Sequence, residues 1–126
     1  MKKIGNSIID VNLVFQKIMP FKDGLQVADL GCGNFGHFLF PLAEVAGKKS
    51  RVYAVDVSRS GLDEVKRRAR TENLPQIETI WSDLEVFGAT SIKPESLDAA
   101  FLINVLYQSS KRKEILAEAI RLLKSG

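Results

Sequence analysis

Hydrophobic residues along this chain follow two alternating patterns. Short apolar runs bounded by polar or glycine-rich residues predict strands at residues 25–30, 51–57, 77–82 and 97–103. Apolar residues at helical spacing predict helices at residues 7–19, 35–47, about 58–73 and from about 110 to 126. Strands that alternate with helices predict an α/β fold with a parallel, doubly wound sheet.

Several residues mark the expected ends of the helices. A serine should cap each of the last two, either Ser58 or Ser60 for the third helix and either Ser109 or Ser110 for the fourth. Gly126 should end the fourth. Pro41 lies inside the second predicted helix, which tolerates it only in the first turns.

Three glycines separate the first predicted strand from the helix that follows it. Gly31, Gly33 and Gly36 have the spacing G-x-G-x-x-G. Glycines allow a tight turn and a close approach of a ligand to the backbone, and the positive end of the next helix points to the same place. The turn therefore predicts a site for a nucleotide-like cofactor.

Polar residues follow the other three predicted strands. Asp56 ends the second strand, Asp83 follows the third and Asn104 follows the fourth. Because the carboxyl ends of parallel strands meet at one edge, these residues and the glycine turn should line one crevice. Asp56 stands 20 residues after Gly36, where a carboxylate can accept hydrogen bonds from ribose hydroxyls.

Length and composition narrow the class of protein. A chain of 126 residues with 45% hydrophobic residues is expected to form one domain, residues 1–126. Residues 1–22 begin basic and continue apolar, but Asp10 and Gln16 interrupt the apolar part, so a helical N-terminal extension is predicted instead of a signal peptide. The single cysteine fits a reducing compartment, and no run reaches the ~20 apolar residues of a membrane span. We therefore expect a cytoplasmic protein without membrane contact.

The formal charge of +3 comes with two basic clusters at residues 66–70 and 111–113. Both fall on predicted helices whose other faces are apolar, which is typical of solvated helix surfaces. An RNA-binding patch is the alternative, but no aromatic residues interleave with these charges. Nucleic acid is therefore not an expected partner.

The chain resembles the class I S-adenosylmethionine-dependent methyltransferases in four segments: "ADLGCGNFG", "VYAVDVS", "WSDLEVF" and "LDAAFLINVLYQ". The resemblance extends over residues 25–126 and is nearest to the branch that methylates small molecules and quinones. It implies a Rossmann-like sheet in which the four strands take the order 3-2-1-4. The family sheet normally has seven strands, so this chain is expected to lack the C-terminal ones. Gly36 departs from many members, in which the third glycine stands one residue earlier.

The resemblance also implies S-adenosylmethionine as cofactor. The backbone of residues 31–33 would lie against its methionine part, and Asp29 would hold the ammonium. Asp56 would bind the ribose, and Asp83 with the Leu84 backbone would recognise the adenine. The full set of implied cofactor-binding residues is Asp29, Gly31, Cys32, Gly33, Asn34, Gly36, Asp56, Val57, Asp83, Leu84 and Asn104.

No catalytic residue and no metal ligand is assigned from the sequence. Methyl transfer from a sulfonium requires mainly proximity and orientation, so a general base is not needed. His37 is interpreted as a surface or capping residue, Cys32 as a small residue of the turn and Trp81 as a core residue. Tyr107 is the one aromatic residue placed to reach an acceptor.

Three functions remain open from the sequence. The leading hypothesis is a methyltransferase with a small-molecule or quinone-like acceptor. The glycine spacing leaves a nicotinamide-dinucleotide-binding oxidoreductase domain as an alternative, and a non-catalytic nucleotide-binding scaffold is the third. The run at residues 97–103 is apolar on both faces although it would lie at an edge, so self-association through this strand is expected. The isolated chain is expected to show weak or absent catalysis.

Overall fold

A computed structural model describes residues 2–4, 7–9, 23–33, 36–103 and 110–125. These ranges contain nine elements: β1 (Lys2–Ile4), β2 (Ser7–Ile9), β3 (Gln26–Leu30), α1 (Leu39–Ala46), β4 (Arg51–Asp56), α2 (Arg59–Thr71), β5 (Ile77–Trp81), β6 (Ala99–Phe101) and α3 (Arg112–Leu122).

Strands β3 to β6 form one parallel sheet in the order β5-β4-β3-β6. Val27 of β3 lies opposite Val52 of β4 on one side and Ala99 of β6 on the other. The two central strands are the most deeply buried, as expected where both faces of a parallel sheet are covered. The predicted α/β fold and the strand order 3-2-1-4 are confirmed.

Alternate residues of each strand supply two separate hydrophobic cores. Val27 packs on one face with residues of α1 and α2, among them Leu39 and Val65. Ala28 packs on the other face with residues of α3, among them Ile115. The sheet therefore holds the carboxyl ends of its strands between two packed layers.

Helix boundaries follow the sequence signals in part. The Ser58 hydroxyl accepts a hydrogen bond from the Gly61 N–H at 3.1 Å, so the predicted cap of α2 is confirmed. Pro41 is the third residue of α1, within the first turn, where a helix tolerates proline. Since α1 begins at Leu39, the predicted start at residue 35 is wrong for residues 36–38, and Phe35 lies outside the described residues.

Helix α3 begins without the predicted serine cap. Its N-cap residue is Lys111, which makes no capping hydrogen bond through its side chain. Ser110 precedes the N-cap position by one residue, so the prediction that it caps the helix is wrong. Ser109 and Gly126 lie outside the described residues.

The N-terminal segment corrects the predicted helix at residues 7–19. Residues 7–9 form β2, which pairs antiparallel with β1, and Ile4 lies opposite Ser7. Two residues separate β1 from β2 in the sequence, and a Gly-Asn dipeptide between two strand-forming segments is a hairpin signal. The rest of the predicted helical extension, residues 10–22, lies outside the described residues.

Strand β6 is shorter than the predicted strand at residues 97–103. Leu97 pairs with the segment at the end of α3 instead of with β3. Its N–H donates to the Leu122 carbonyl at 2.9 Å, and its carbonyl accepts from the Lys124 N–H at 2.9 Å. The segment after α3 thus covers the start of the outer edge of β6. No helix in the described ranges is long and apolar enough to cross a membrane.

Candidate cofactor site at the carboxyl edge of the sheet

The glycine turn after β3 folds over the end of β4. The N–H groups of Gly31 and Cys32 both donate to the Val55 carbonyl, at 2.7 and 3.1 Å. Gly31 has φ 82° and Gly33 has φ 72°. These left-handed conformations favour glycine, so the turn depends on the residues that the sequence pattern singled out.

Asp56 ties the glycine turn to the start of α2. One carboxylate oxygen accepts from the Gly33 N–H at 2.8 Å, and the other accepts from the Ser58 N–H at 2.9 Å. An ionised carboxylate has about four acceptor positions, so these two bonds leave capacity for the hydroxyls of a ribose.

Gly33 and Gly36 have different surroundings. Among the residues that the structure describes, a Cβ at Gly33 would meet no atom within 4 Å, so this side of the turn is open towards a ligand. A Cβ at Gly36 would lie 2.6 Å from the Phe40 ring, and φ there is 57°. Gly33 thus leaves space beside the backbone, whereas Gly36 allows the turn to pack against α1.

Asp29 is a buried carboxyl group beside this turn. Only 2% of the residue is exposed. Burial, together with the charge of Asp56, raises the pKa of Asp29 from 3.8 to about 7. Within the described part of the chain, no group donates a hydrogen bond to this carboxylate. A positively charged ligand would stabilise its ionised form.

Cys32 stands between these acidic side chains. Burial and the charges of Asp29 and Asp56 raise the pKa of its thiol above the ordinary range. The thiolate is therefore disfavoured, and Cys32 is not suited to act as a nucleophile. This fits its interpretation as a small residue of the turn.

The far end of the site is formed after β4 and β5. The Asp83 carboxylate accepts from the Glu85 N–H at 3.0 Å, which closes a local turn. The Leu84 side chain is buried in the core beneath this turn. Val57, directly after β4, is 60% exposed and therefore accessible to a ligand.

Trp81 is not the core residue that the sequence predicted. It is 45% exposed, its indole N–H donates to the Val57 carbonyl at 2.7 Å, and the Arg59 guanidinium lies 4.5 Å from its ring centroid. Because β5 is an edge strand, its last residue has a neighbouring strand on one side only. The sequence analysis missed the contact of Arg59 and Trp81 beside the ends of β4 and β5.

Some predicted residues do not add to this geometry. Asn34, Asn104 and Tyr107 lie outside the described residues. His37 is exposed at the surface, as expected. In the described ranges no group of three His, Cys, Asp or Glu side chains could hold a metal ion.

A separate cleft lies at the opposite, amino edge of the sheet. It encloses about 1560 Å³, and Arg51 and Ile77, the first residues of β4 and β5, are in its wall. Basic residues such as Lys66 and Arg70 also line it, but none of the predicted cofactor-binding residues that the structure describes does. The convergence of the glycine turn and the carboxylates therefore places the candidate site at the carboxyl edge and not in this cleft.

A family model described as a methyltransferase domain matches residues 21–126. The chain belongs to this methyltransferase family. The predicted family is therefore confirmed, and with it S-adenosylmethionine as the cofactor of the family.

Curated relatives of this methyltransferase domain are considerably longer than the chain. An uncharacterized 37.1 kDa protein in transposon TN4556 of Streptomyces fradiae is 33% identical over 105 residues, which are 83% of this chain and 29% of the relative. The (S)-coclaurine N-methyltransferase of Thalictrum flavum subsp. glaucum is 31% identical over 79% of this chain and 26% of the relative. The chain thus spans less than a third of the length of these two proteins.

Solved structures agree with the family at the level of the fold. A SAM-dependent methyltransferase from Aquifex aeolicus superposes with a TM-score of 0.76 and 23% identity, over 91% of this chain and 58% of that one. An arsenic(III) S-adenosylmethionine methyltransferase from Chlamydomonas reinhardtii gives a TM-score of 0.71 and 25% identity, over 85% of this chain and 38% of that one.

Proposed function

We propose that this chain binds S-adenosylmethionine at the carboxyl edge of its sheet and supplies the cofactor-binding part of a methyltransferase. The observation that carries this proposal is the pair Asp29 and Asp56 beside the glycine turn. Asp29 is buried, its pKa is raised to about 7, and no donor in the described ranges satisfies it.

Two carboxylates beside one turn favour a cationic ligand. S-adenosylmethionine carries an ammonium and a sulfonium, whose positive charges are attracted to Asp29 and Asp56. A nicotinamide dinucleotide would bring a negatively charged diphosphate to the same turn, where the carboxylates would repel it. The electrostatics of the turn therefore argue against the oxidoreductase alternative, although the glycine spacing alone suits either cofactor.

Residues along the carboxyl edge of the sheet could contact each part of S-adenosylmethionine. The open side of Gly33 would take the methionine part, and the spare lone pairs of Asp56 would accept the ribose hydroxyls. Exposed Val57 and the turn at Asp83–Leu84 would contact the adenine. When bound, S-adenosylmethionine supplies an activated methyl group. The protein's contribution is to hold this group in line with an acceptor.

The proposal extends to the acceptor, the location and the assembly of the protein. We favour a small-molecule or quinone-like acceptor and a cytoplasmic location, without nucleic acid or membrane as partner. The outer edge of β6 beyond Leu97 favours self-association through that strand. Light scattering after size-exclusion chromatography tests the assembly, because a stable monomer at high micromolar concentration would contradict it.

Cofactor binding without methyl transfer is a second candidate function. One relative, 28% identical over 82% of this chain, is named an S-adenosyl-L-methionine-dependent Diels-Alderase, from Talaromyces variabilis. That name describes a reaction other than methyl transfer. Binding and transfer must therefore be measured separately.

Calorimetry with S-adenosylhomocysteine and with NAD tests the proposed cofactor. We expect S-adenosylhomocysteine to bind and NAD to bind more weakly. Asp56→Ala should weaken S-adenosylhomocysteine binding by about 1.5–3 kcal/mol, the range for hydrogen bonds to a charged group. Tighter binding of NAD would overturn the proposal. Transfer of a labelled methyl group to a panel of small acceptors then separates a methyltransferase from a binding protein.

A further inference from the structure

The loop after β5 is held by a buried ion pair on α3. Glu118 is fully buried, and Arg121 contacts it with two nitrogens, Nε to Oε1 at 2.7 Å and Nη2 to Oε2 at 2.7 Å. Oε1 also accepts from the Gly88 N–H at 2.8 Å, and Oε2 accepts from the Thr90 N–H at 2.9 Å. Four donors thus surround one carboxylate, and two of them belong to the loop.

Arg121 holds the same loop by two further contacts. Its Nη2 also donates to the Thr90 carbonyl at 2.9 Å. Its guanidinium lies 5.8 Å from the ring centroid of Phe87, a residue that is 64% exposed. The ion pair therefore binds both the N–H and the carbonyl of Thr90, which fixes the orientation of that peptide segment.

Hydrogen bonds continue from this ion pair to the candidate site. The Thr90 hydroxyl bonds the Ser82 hydroxyl at 2.8 Å, and both residues are buried. The Ser82 N–H donates to the Asp56 carbonyl at 3.0 Å. The segment between Ser82 and Thr90 contains Asp83 and Leu84, so the part of the loop proposed to contact adenine is anchored at both ends.

We propose that Glu118 and Arg121 are positioning residues that hold the loop 83–90 in the conformation that binds the adenine of the cofactor. This inference rests on the proposed function. A buried ion pair gives little net stability compared with apolar side chains of the same size, but it fixes the direction of every group bonded to it. In this chain those groups include the backbone at Gly88 and Thr90, on the loop that forms the adenine end of the site.

Asp98 provides a matched control at the other edge of the sheet. Its side chain is 8% exposed, and its carboxylate accepts from the Gln26 N–H at 2.9 Å and from Lys124 Nζ at 2.9 Å. Like Glu118, it joins backbone to a basic side chain, but it lies at the amino ends of β3 and β6. Asp98→Asn should destabilise the fold without changing the cofactor site.

The test measures the dissociation constants of S-adenosylhomocysteine and 5′-methylthioadenosine by calorimetry on the 126-residue chain. Circular dichroism at the same temperature gives the folded fraction. Glu118→Gln should weaken both ligands by the same factor, about tenfold or more, because both carry the adenosine. Arg121→Lys keeps the charge but loses the two-nitrogen contact, and should weaken both ligands about threefold. Asp98→Asn should stay within about twofold of the unsubstituted chain.

Distinct outcomes separate this inference from the proposed function. Failure of the unsubstituted chain to bind either ligand overturns the proposed function, and the inference with it. If that chain binds and folded Glu118→Gln binds equally well, only the inference falls. It also falls if Asp98→Asn weakens binding as much, or if the loss affects S-adenosylhomocysteine but not 5′-methylthioadenosine. Should Glu118→Gln not fold, the same criteria are applied to Arg121→Lys.

Discussion

Asp29 and Glu118 are both buried carboxylic acids, but their surroundings shift their pKa values in opposite directions. Burial and the charge of Asp56 raise the pKa of Asp29 to about 7. Burial would also raise the pKa of Glu118, but hydrogen bonds from Arg121 and from the N–H groups of Gly88 and Thr90 lower it to about 2. Burial alone therefore does not determine the charge of a carboxyl group, because the donors that face it decide the outcome.

The two carboxyl groups make opposite contributions to stability. The pKa of Glu118 is lowered from 4.5, so its contribution is present above about pH 4.5 and is lost as the pH falls towards 2. The pKa of Asp29 is raised from 3.8, so its ionisation costs stability increasingly as the pH rises from about 4 to 7. We interpret Glu118 as a structural group and Asp29 as a group whose partner is the cofactor.

The largest expected effect is on the free energy of unfolding of Glu118→Gln. Removing one partner of a buried ion pair leaves Arg121 without its carboxylate, which should cost about 3–5 kcal/mol at pH 7. Urea unfolding at pH 7 and pH 3 measures the loss, which should be smaller at pH 3. Lys49→Ala is the control, because its pair with Asp23 is 78% and 82% exposed and should contribute less than about 1 kcal/mol. Equal losses in the two variants would contradict the structural role of Glu118.

Asp29→Asn should change the free energy of unfolding in the opposite direction. The variant removes a buried charge without a donor among the described residues, so it should stabilise the ligand-free protein by about 2–4 kcal/mol at pH 8. The gain should nearly vanish at pH 4, where Asp29 is already protonated in the folded protein. Urea unfolding at both pH values measures this. A less stable variant at pH 8 would show that Asp29 has a favourable partner within the fold.

Cofactor binding should depend on pH through Asp29. Because the ammonium is attracted to the ionised carboxylate, S-adenosylhomocysteine should bind about tenfold more weakly at pH 5.5 than at pH 7.5. Calorimetry at pH 6 in two buffers of different ionisation enthalpy should also detect proton release on binding. Asp29→Asn should bind weakly and with little dependence on pH over this range. The same pH dependence in that variant would assign the titration to another group.

These differences also indicate which parts of the molecule the sequence can predict. The glycine turn, the end of β4 at Asp56 and the Ser58 cap depend on residues close in sequence, and the structure has them as predicted. The antiparallel pairing of β1 with β2 also had a local sequence signal, which the prediction of a helix at residues 7–19 overlooked. Local chemistry thus sufficed for the part of the fold that carries the glycine turn.

Features that depend on distant contacts could not be predicted. Glu118 and Arg121 are spaced as an ordinary pair on a helix surface, and only packing against a loop 30 residues earlier buries the carboxylate. The exposure of Trp81 follows from the position of β5 at the sheet edge. Similarly, β6 is short because Leu97 pairs with the segment after α3. The sequence therefore indicated a site at this edge but not the network that supports one end of it.

The smallest expected effect is on the alkylation rate of Cys32, which reports the charge of Asp29. The charges of Asp29 and Asp56 both help to raise the pKa of the Cys32 thiol, and this is the only cysteine of the chain. Asp29→Asn removes one of these charges, so the thiolate should be more populated and alkylation by iodoacetamide at pH 8 should be faster, by about two- to fivefold. Mass spectrometry over time measures the rate. Asp23→Asn, an exposed carboxylate away from the turn, should leave it unchanged. Unchanged alkylation in Asp29→Asn would mean that Asp29 is already neutral at pH 8, and its pKa would then be higher than 7.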